Sequence, residues 1–370
     1  MLFLSDVPGR FPVGATTFLT RARSPHIVGS LKLSKNVLEP ALKLEEVAFT
    51  AYYPADTSRP TRKGLDWLIR PVKDSLDGFV KFSNLPYWVL WPVVYIFGAL
   101  IKIPVYLNAP LAHPGKAGLP RGDKMQWPMV IFSHGLGGSR TAYSQICTRM
   151  AASGKVVISM EHRDGTGPCI SRIQGANGTY QEKSRLYYND DDIFFDDIAE
   201  NASPLPLRTD QLEFRREEIY MAYQVFCQFL QNNPSELDTI DNSQIDYTSW
   251  TSVDPSGKGP ICFDANITLA GHSFGGCTVL SILSSNPPPE YTHLPITHAL
   301  ILDPWLEPLP EPGPLPLETL RQGALIDNDK THPQMLVINS EVFTLWKDHY
   351  ARLENIMRVW EPQGKRILTL

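Results

Sequence analysis

Short apolar runs recur along the chain, each bounded by turn residues and followed by a stretch with helical spacing. Val47–Tyr53 reads as a first strand, closed by Pro54. Met129–Phe132 and Val156–Met160 are almost wholly apolar, as strands covered on both faces are. Tyr143–Ala152, between them, reads as a helix. Arg215–Leu230 predicts a longer helix with Glu217 and Glu218 in its first turns, where the dipole favours acidic groups. Ile267–Ala270, Ala299–Leu302, Met335–Ile338 and Ile367–Leu370 predict further strands, with helices over Cys277–Leu283 and Val342–Met357. This alternation predicts an α/β fold with a doubly wound, mostly parallel sheet and long insertions.

No linker divides the 370 residues, so a single domain spanning 1–370 is expected. Residues 55–127 form an insertion, and 164–210 a second long connection that holds the acidic stretch Asp190–Asp197. That stretch lacks the glycine and spacing of a calcium loop, and a solvated loop is the expectation. The 32 prolines explain the stiff run over 304–318. Within the insertion, residues 87–101 are apolar but broken by Pro92 and Gly98. A membrane span needs about 20 residues, so this segment reads either as a buried element or lid, or as an interfacial segment. Tyr87, Trp88, Trp91, Tyr95 and Phe97 suit a headgroup boundary in the second case.

Composition narrows the function classes. A net charge of −5 lacks the basic footprint of a nucleic-acid binder. With 43% hydrophobic and 20% charged residues the chain is globular rather than disordered. Cys147, Cys169, Cys227, Cys262 and Cys277 are widely spaced and form no zinc pattern, so reduced thiols and no metal or other cofactor are expected. The start, Met1-Leu-Phe-Leu-Ser-Asp-Val-Pro, has no basic region and does not read as a signal peptide. An intracellular location, cytoplasmic or peripheral to a membrane, follows as the expectation, and sequons at Asn177, Asn201 and Asn266 then carry no weight.

Gly271-His-Ser-Phe-Gly275 matches G-x-S-x-G. The pattern alone is weak, but a strand runs into it and an apolar helix runs out, which is the setting a nucleophile elbow requires. Ser273 is therefore the candidate nucleophile; His272, at the variable position, is expected to point away from it. Backbone N–H groups must meet the developing oxyanion, and Phe274 supplies one. His134-Gly-Leu-Gly-Gly138 supplies a loop in which Leu136 offers the other. A nucleotide-binding reading of that loop fails for want of a third glycine and a following Lys-Ser/Thr.

The acid should follow the nucleophile in the chain, and the histidine should follow the acid. Asp303 and Glu341 both end strands; Asp303 is favoured, and Glu341 reads as a helix N-terminal carboxylate. After Asp303 only His332 and His349 remain. His332 precedes Pro333 at the wrong sheet edge, and His349 lies in a helix body. The histidine should follow the last strand, and the sequence ends inside that strand at Leu370, so the catalytic histidine is missing from these residues.

Taken together, these motifs resemble those of the plasma-type (group VII) platelet-activating-factor acetylhydrolase family, serine phospholipases of the α/β-hydrolase fold. The resemblance runs through Phe11-Pro-Val-Gly-Ala-Thr-Thr, Tyr52-Tyr-Pro-Ala and Phe132-Ser-His-Gly-Leu-Gly-Gly. It continues through Glu161-His-Arg-Asp, Leu302-Asp-Pro-Trp and Val337-Ile-Asn-Ser-Glu. It implies calcium-independent hydrolysis of short or oxidised sn-2 acyl chains from phospholipids at a lipid surface, with Ser273 and Asp303 in a triad and Leu136 and Phe274 as oxyanion donors. It also implies that the last strand leads into Arg-Gly-Ser/Thr-x-His, and so that the chain is truncated. A general carboxylesterase or lipase, or a catalytically silent protein that binds lipid or a partner, remain the alternatives.

Overall fold

The computed structural model describes residues 2–116, 126–174, 180–195, 205–233, 237–240, 243–317, 333–361 and 367–370. Asn177, Asp196, Asp197, Asn201 and His332 lie outside the described residues.

The main sheet is built from β1 (Val13–Ile27), β2 (Lys43–Pro54), β3 (Ile101–Leu107), β4 (Trp127–Ser133), β5 (Val156–Glu161), β6 (Ile267–His272), β7 (Ile296–Leu302), β8 (Gln334–Asn339) and β9 (Ile367–Thr369). Their order across the sheet is β3-β1-β2-β5-β4-β6-β7-β8-β9, with shorter strands added around them. From β5 to β9 all neighbours are parallel, and β2 pairs antiparallel with both β1 and β5. The expected doubly wound, mostly parallel α/β architecture is the one observed.

Helix α1 (Val72–Ser83) packs against the apolar segment that follows it, while α2 (Ser144–Ala152), α3 (Pro206–Leu230), α4 (Phe274–Leu283) and α5 (Lys347–Trp360) cover the sheet. Two apolar layers result. The larger packs Phe49, Ile131, Ile158 and Leu269 against Phe214, Phe226 and Leu280. The smaller packs Val130, Val157 and Ala270 against Cys147 and Ala151 of α2. Alternate residues of β4 and β5 thus serve opposite faces, which is why these strands read as unbroken apolar runs.

Several elements differ from the sequence reading. Val47–Tyr53 is not the first long strand: β1 precedes it, and its Thr- and Arg-rich composition, buried only in its first half, hides the strand signal. Residues 55–127 are not wholly an insertion, because β3 belongs to the main sheet beside β1. Helix α3 begins at Pro206, where proline suits a first turn, so Glu217 and Glu218 lie well inside it rather than at its start. Glu218 is fully buried. The span 342–357 is two helices, a short one over Glu341–Thr344 and then α5. Connection 164–210 contains a hairpin, Cys169–Gln174 with Tyr180–Arg185.

The apolar segment is not a buried element. It forms a short helix, Tyr87–Trp91, then one wide turn, Pro92–Phe97, and a tight one, Gly98–Leu100. Trp88 is 76% exposed, and Trp91, Tyr95 and Phe97 are also exposed. Trp91 and Tyr95 stack with ring centroids 5.4 Å apart. Among the described residues no helix is long and apolar enough to cross a membrane.

Candidate active site

The parallel strands deliver the expected site residues to one edge of the sheet. In register, Gly271 pairs with Ser133, His272 with Leu302, Leu302 with Ile338, and Asn339 with Thr369. The residues immediately after those strand ends are His134, Ser273, Asp303 and Leu370. Brought together here are residues more than 200 positions apart.

Ser273 sits between β6 and α4 with φ 54° and ψ −117°. A non-glycine residue rarely adopts that backbone, at a cost of about 1–3 kcal/mol; it turns the side chain out at the crest of the strand–helix turn. Local packing over-determines the conformation. The Ser273 N–H donates to Leu302 O at 2.9 Å, and its carbonyl accepts from Trp305 and Cys277. The turn also requires its glycines: a Cβ on Gly275 would lie 2.0 Å from Ser133 O.

The two candidate oxyanion donors lie on segments that meet at this turn: a Cβ on Gly135 would lie 3.0 Å from Ser273 Cβ. Phe274 is the first residue of α4, so its N–H has no intrahelical acceptor. In the loop after β4, Gly137 donates to Thr166 O and Gly138 to Gly135 O. Gly135 N–H meets the Tyr143 hydroxyl at 3.3 Å. Among the described residues no acceptor meets the Leu136 N–H. Gly137 has φ +70°, which favours glycine, and the Phe82 ring of α1 packs directly against it.

Asp303 ends β7 with φ 40°. The Ser273 backbone ties down both flanks, Leu302 and Trp305, while Asp303 Oδ1 accepts from Ser340 N–H at 2.7 Å. Glu341 lies one residue further on, in the first turn of the short helix that Ser340 caps. The last described residue, Leu370, donates to Asn339 O and accepts from Glu341 N–H, so β9 ends beside the Asp303 partner.

No histidine among the described residues hydrogen-bonds Asp303 or Ser273. His272 turns its Nδ1 to the Tyr143 hydroxyl at 2.7 Å; burial lowers its pKa, against the opposing pull of Asp303. His349 stacks on Trp346 at 3.7 Å, and its Nε2 meets Leu306 N–H at 3.1 Å and Pro304 O at 3.0 Å. The Pro-rich run after Asp303 is held down by Arg352 and by the Trp360 indole, which donates to Pro314 O.

Sequence reasoning missed a buried charged layer under the oxyanion loop. It singled out Glu161-His-Arg-Asp164 but assigned it no role. Arg163 pairs with Glu161 and Glu46, and Arg140 with Glu161. His162 bridges Glu218 and the Ser133 hydroxyl. Burial, with the Arg215 charge, pushes His134 down to about 3, and the same causes hold His162 well below the usual imidazole range. Both rings are therefore neutral. Asp164 stays below its ordinary value despite burial, because Arg215 and Thr166 hold its carboxylate. The only sequence signal was a charged motif beside an apolar strand, which reads equally well as a surface turn. In the acidic stretch, Asp192 closes a capped turn with Asn189 and pairs with Lys81.

The fold is similar to that of a solved ferulic acid esterase from Streptomyces cinnamoneus, with TM-score 0.52 and 14% identity over 100% of this chain and 75% of that one. That likeness establishes the α/β-hydrolase fold alone. A Schizosaccharomyces pombe protein named "Putative phospholipase A2" is 28% identical over 350 residues, 90% of this chain and 72% of that protein. A Canis lupus familiaris platelet-activating factor acetylhydrolase is 26% identical over 261 residues, 70% of this chain and 50% of that protein. The match to the latter thus spans half of that relative's length. The profile of the family described as platelet-activating factor acetylhydrolase, isoform II, matches residues 7–364, nearly the whole sequence, and the chain belongs to that family.

Proposed function

We propose that this chain is a serine ester hydrolase that cleaves the sn-2 acetyl, short or oxidised acyl ester of phospholipids, without calcium, through an acyl-enzyme on Ser273. The observation that carries the reading is the strained Ser273 backbone at the crest of β6–α4, beside the loop of Leu136, which approaches it at Gly135. In this reading Ser273 Oγ attacks the ester carbonyl and a histidine takes its proton. The two N–H groups receive the oxyanion, and the lysophospholipid leaves with that proton. Water then hydrolyses the acyl-enzyme. Asp303 orients the imidazole. The base would follow Leu370, where β9 points toward the Asp303 loop. No resident metal or cofactor has a step in this scheme.

The lipid-facing element in this reading is the exposed aromatic segment 87–97, with Trp88, Trp91, Tyr95 and Phe97. It follows α1 directly, and α1 sets Phe82 against Gly137 of the oxyanion loop. An enzyme docked through that segment would meet its substrate beside the site. In the complete protein, with the base included, a fluorophosphonate probe should label Ser273, and the Ser273→Ala variant should not be labelled. The wild type should also hydrolyse 1-alkyl-2-acetyl phosphocholine lipid equally well in a calcium chelator. Soluble nitrophenyl esters cleaved without any activity on the phospholipid would point to a general carboxylesterase. A folded chain that binds vesicles but never labels would be the silent lipid-binding alternative.

A further inference from the structure

We propose that Arg215 is the positioning residue of the oxyanion hole, one buried guanidinium that holds the backbone of the Leu136 loop and packs on the Phe274 ring; this rests on the reading of Ser273 as nucleophile. Arg215 projects from the middle of α3 and is fully buried. Its Nη1 donates to His134 O at 2.7 Å, at the base of the loop that carries Leu136. Its Nη2 donates to Thr166 Oγ1 at 2.6 Å, and Thr166 O in turn accepts the Gly137 N–H at 2.6 Å. The loop is thus gripped on both sides of Leu136. The guanidinium also lies over the Phe274 ring, 4.4 Å from its centroid, and Phe274 carries the second donor.

The clamp is itself fixed. Asp164 Oδ2 accepts from Arg215 Nε at 2.7 Å, and Thr166 donates to Asp164 Oδ1. Gln211, one turn earlier on α3, donates to Asp164 O. A planar fork with several fixed donors suits this task, because the acceptors lie on two separate segments, His134 on one and Asp164 with Thr166 on the other. A lysine ammonium would reach fewer of them. An interaction of this kind is pre-organised before substrate arrives, and its worth appears only when the oxyanion forms.

The test compares Arg215→Met, Arg215→Lys and Thr166→Val with the wild type, using 4-nitrophenyl acetate as substrate and a trifluoromethyl ketone as tetrahedral-adduct probe. Arg215→Met should lower kcat by roughly 100-fold with KM within about threefold, and weaken the ketone by a similar factor. Arg215→Lys should recover about tenfold of that, and Thr166→Val should lose about three- to tenfold. Amide exchange over residues 133–138 should speed up in all three, while α4 beyond Cys277 keeps its protection. A folded Arg215→Met with kcat within threefold of wild type overturns the proposal. So does loop exchange that is unchanged. If Arg215→Met does not fold, wild-type kcat in both folded Arg215→Lys and Thr166→Val overturns it equally. Hydrolysis that survives Ser273→Ala would remove the nucleophile itself, and the proposal falls with it. That result is distinct from an active serine whose rate ignores Arg215.

Discussion

Gly275→Ala probes the contact between the nucleophile turn and the oxyanion loop. The added Cβ would lie 2.0 Å from Ser133 O and 2.9 Å from His134 O, both backbone atoms, where ordinary contact begins at 3.4 Å. No flexible side chain can yield. Ser133 is paired to Gly271 in the sheet, and His134 O is held by Arg215. The relief must therefore come from a shift of about 1 Å between α4 and the loop after β4, which separates the Phe274 and Leu136 donors. A misplacement of that size costs about 100-fold in rate, and overpacking costs about 1–3 kcal/mol of stability. The assays are kcat on a 4-nitrophenyl ester, the rate of fluorophosphonate labelling, and urea unfolding. Gly259→Ala is the control, since nothing lies within 4 Å of its Cβ. It should leave both rate and stability unchanged. A folded Gly275→Ala that keeps kcat and labelling within threefold of wild type would refute the reasoning.

Further outcomes are expected from the same geometry. Asp303→Asn should fold, retain fluorophosphonate reactivity only weakly, and lose about 10⁴ in kcat; wild-type turnover would exclude Asp303 as the acid. Replacing Trp88 by Ala should weaken binding to phosphatidylcholine vesicles by tens of fold, at ~25 cal/mol per Å² over about 100 Å² of the ring. Hydrolysis of a soluble ester should be unchanged, and equal vesicle binding would exclude this face. Acid should destabilise the fold through His134. Its imidazole is near 6.5 when unfolded but pushed down to about 3 in the fold by burial and Arg215, so the unfolded state takes up a proton first as pH falls below 6.5. Stability is then lost through that window, by roughly 2 kcal/mol at pH 5. His272 and His349, lowered by burial, act in the same direction, and His26, raised at the surface, opposes them. His162 and Glu218 act in opposite senses, since burial favours the neutral form of each and so lowers the one and raises the other. Urea midpoints that are equal at pH 7 and pH 5 would contradict this account.

What the chain determines locally can be read locally. The elbow needs a strand, two glycines, a serine and a helix within some twenty residues, and all are contiguous in Ile267–Leu283. The His134-Gly-Leu-Gly-Gly138 loop and the strand-ending Asp303 are legible for the same reason: each lies directly after an apolar run that can only be a buried strand. The long-range partners are not legible. Arg215 looks like one more charge on a helix, because nothing nearby in sequence says that His134, Asp164 and Thr166 surround it. β1 is not legible because half of it is polar and its pairing with β2 and β3 is what makes it a strand. The 87–101 run was open between interior and surface because hydrophobicity measures a cost of exposure, not where the chain is placed. The sequence by itself therefore determined which chemistry is present and in what order along the sheet. Only the tertiary structure decided which charges are buried, what they grip, and which apolar side chains face outward, since those depend on segments brought together from far apart in the chain.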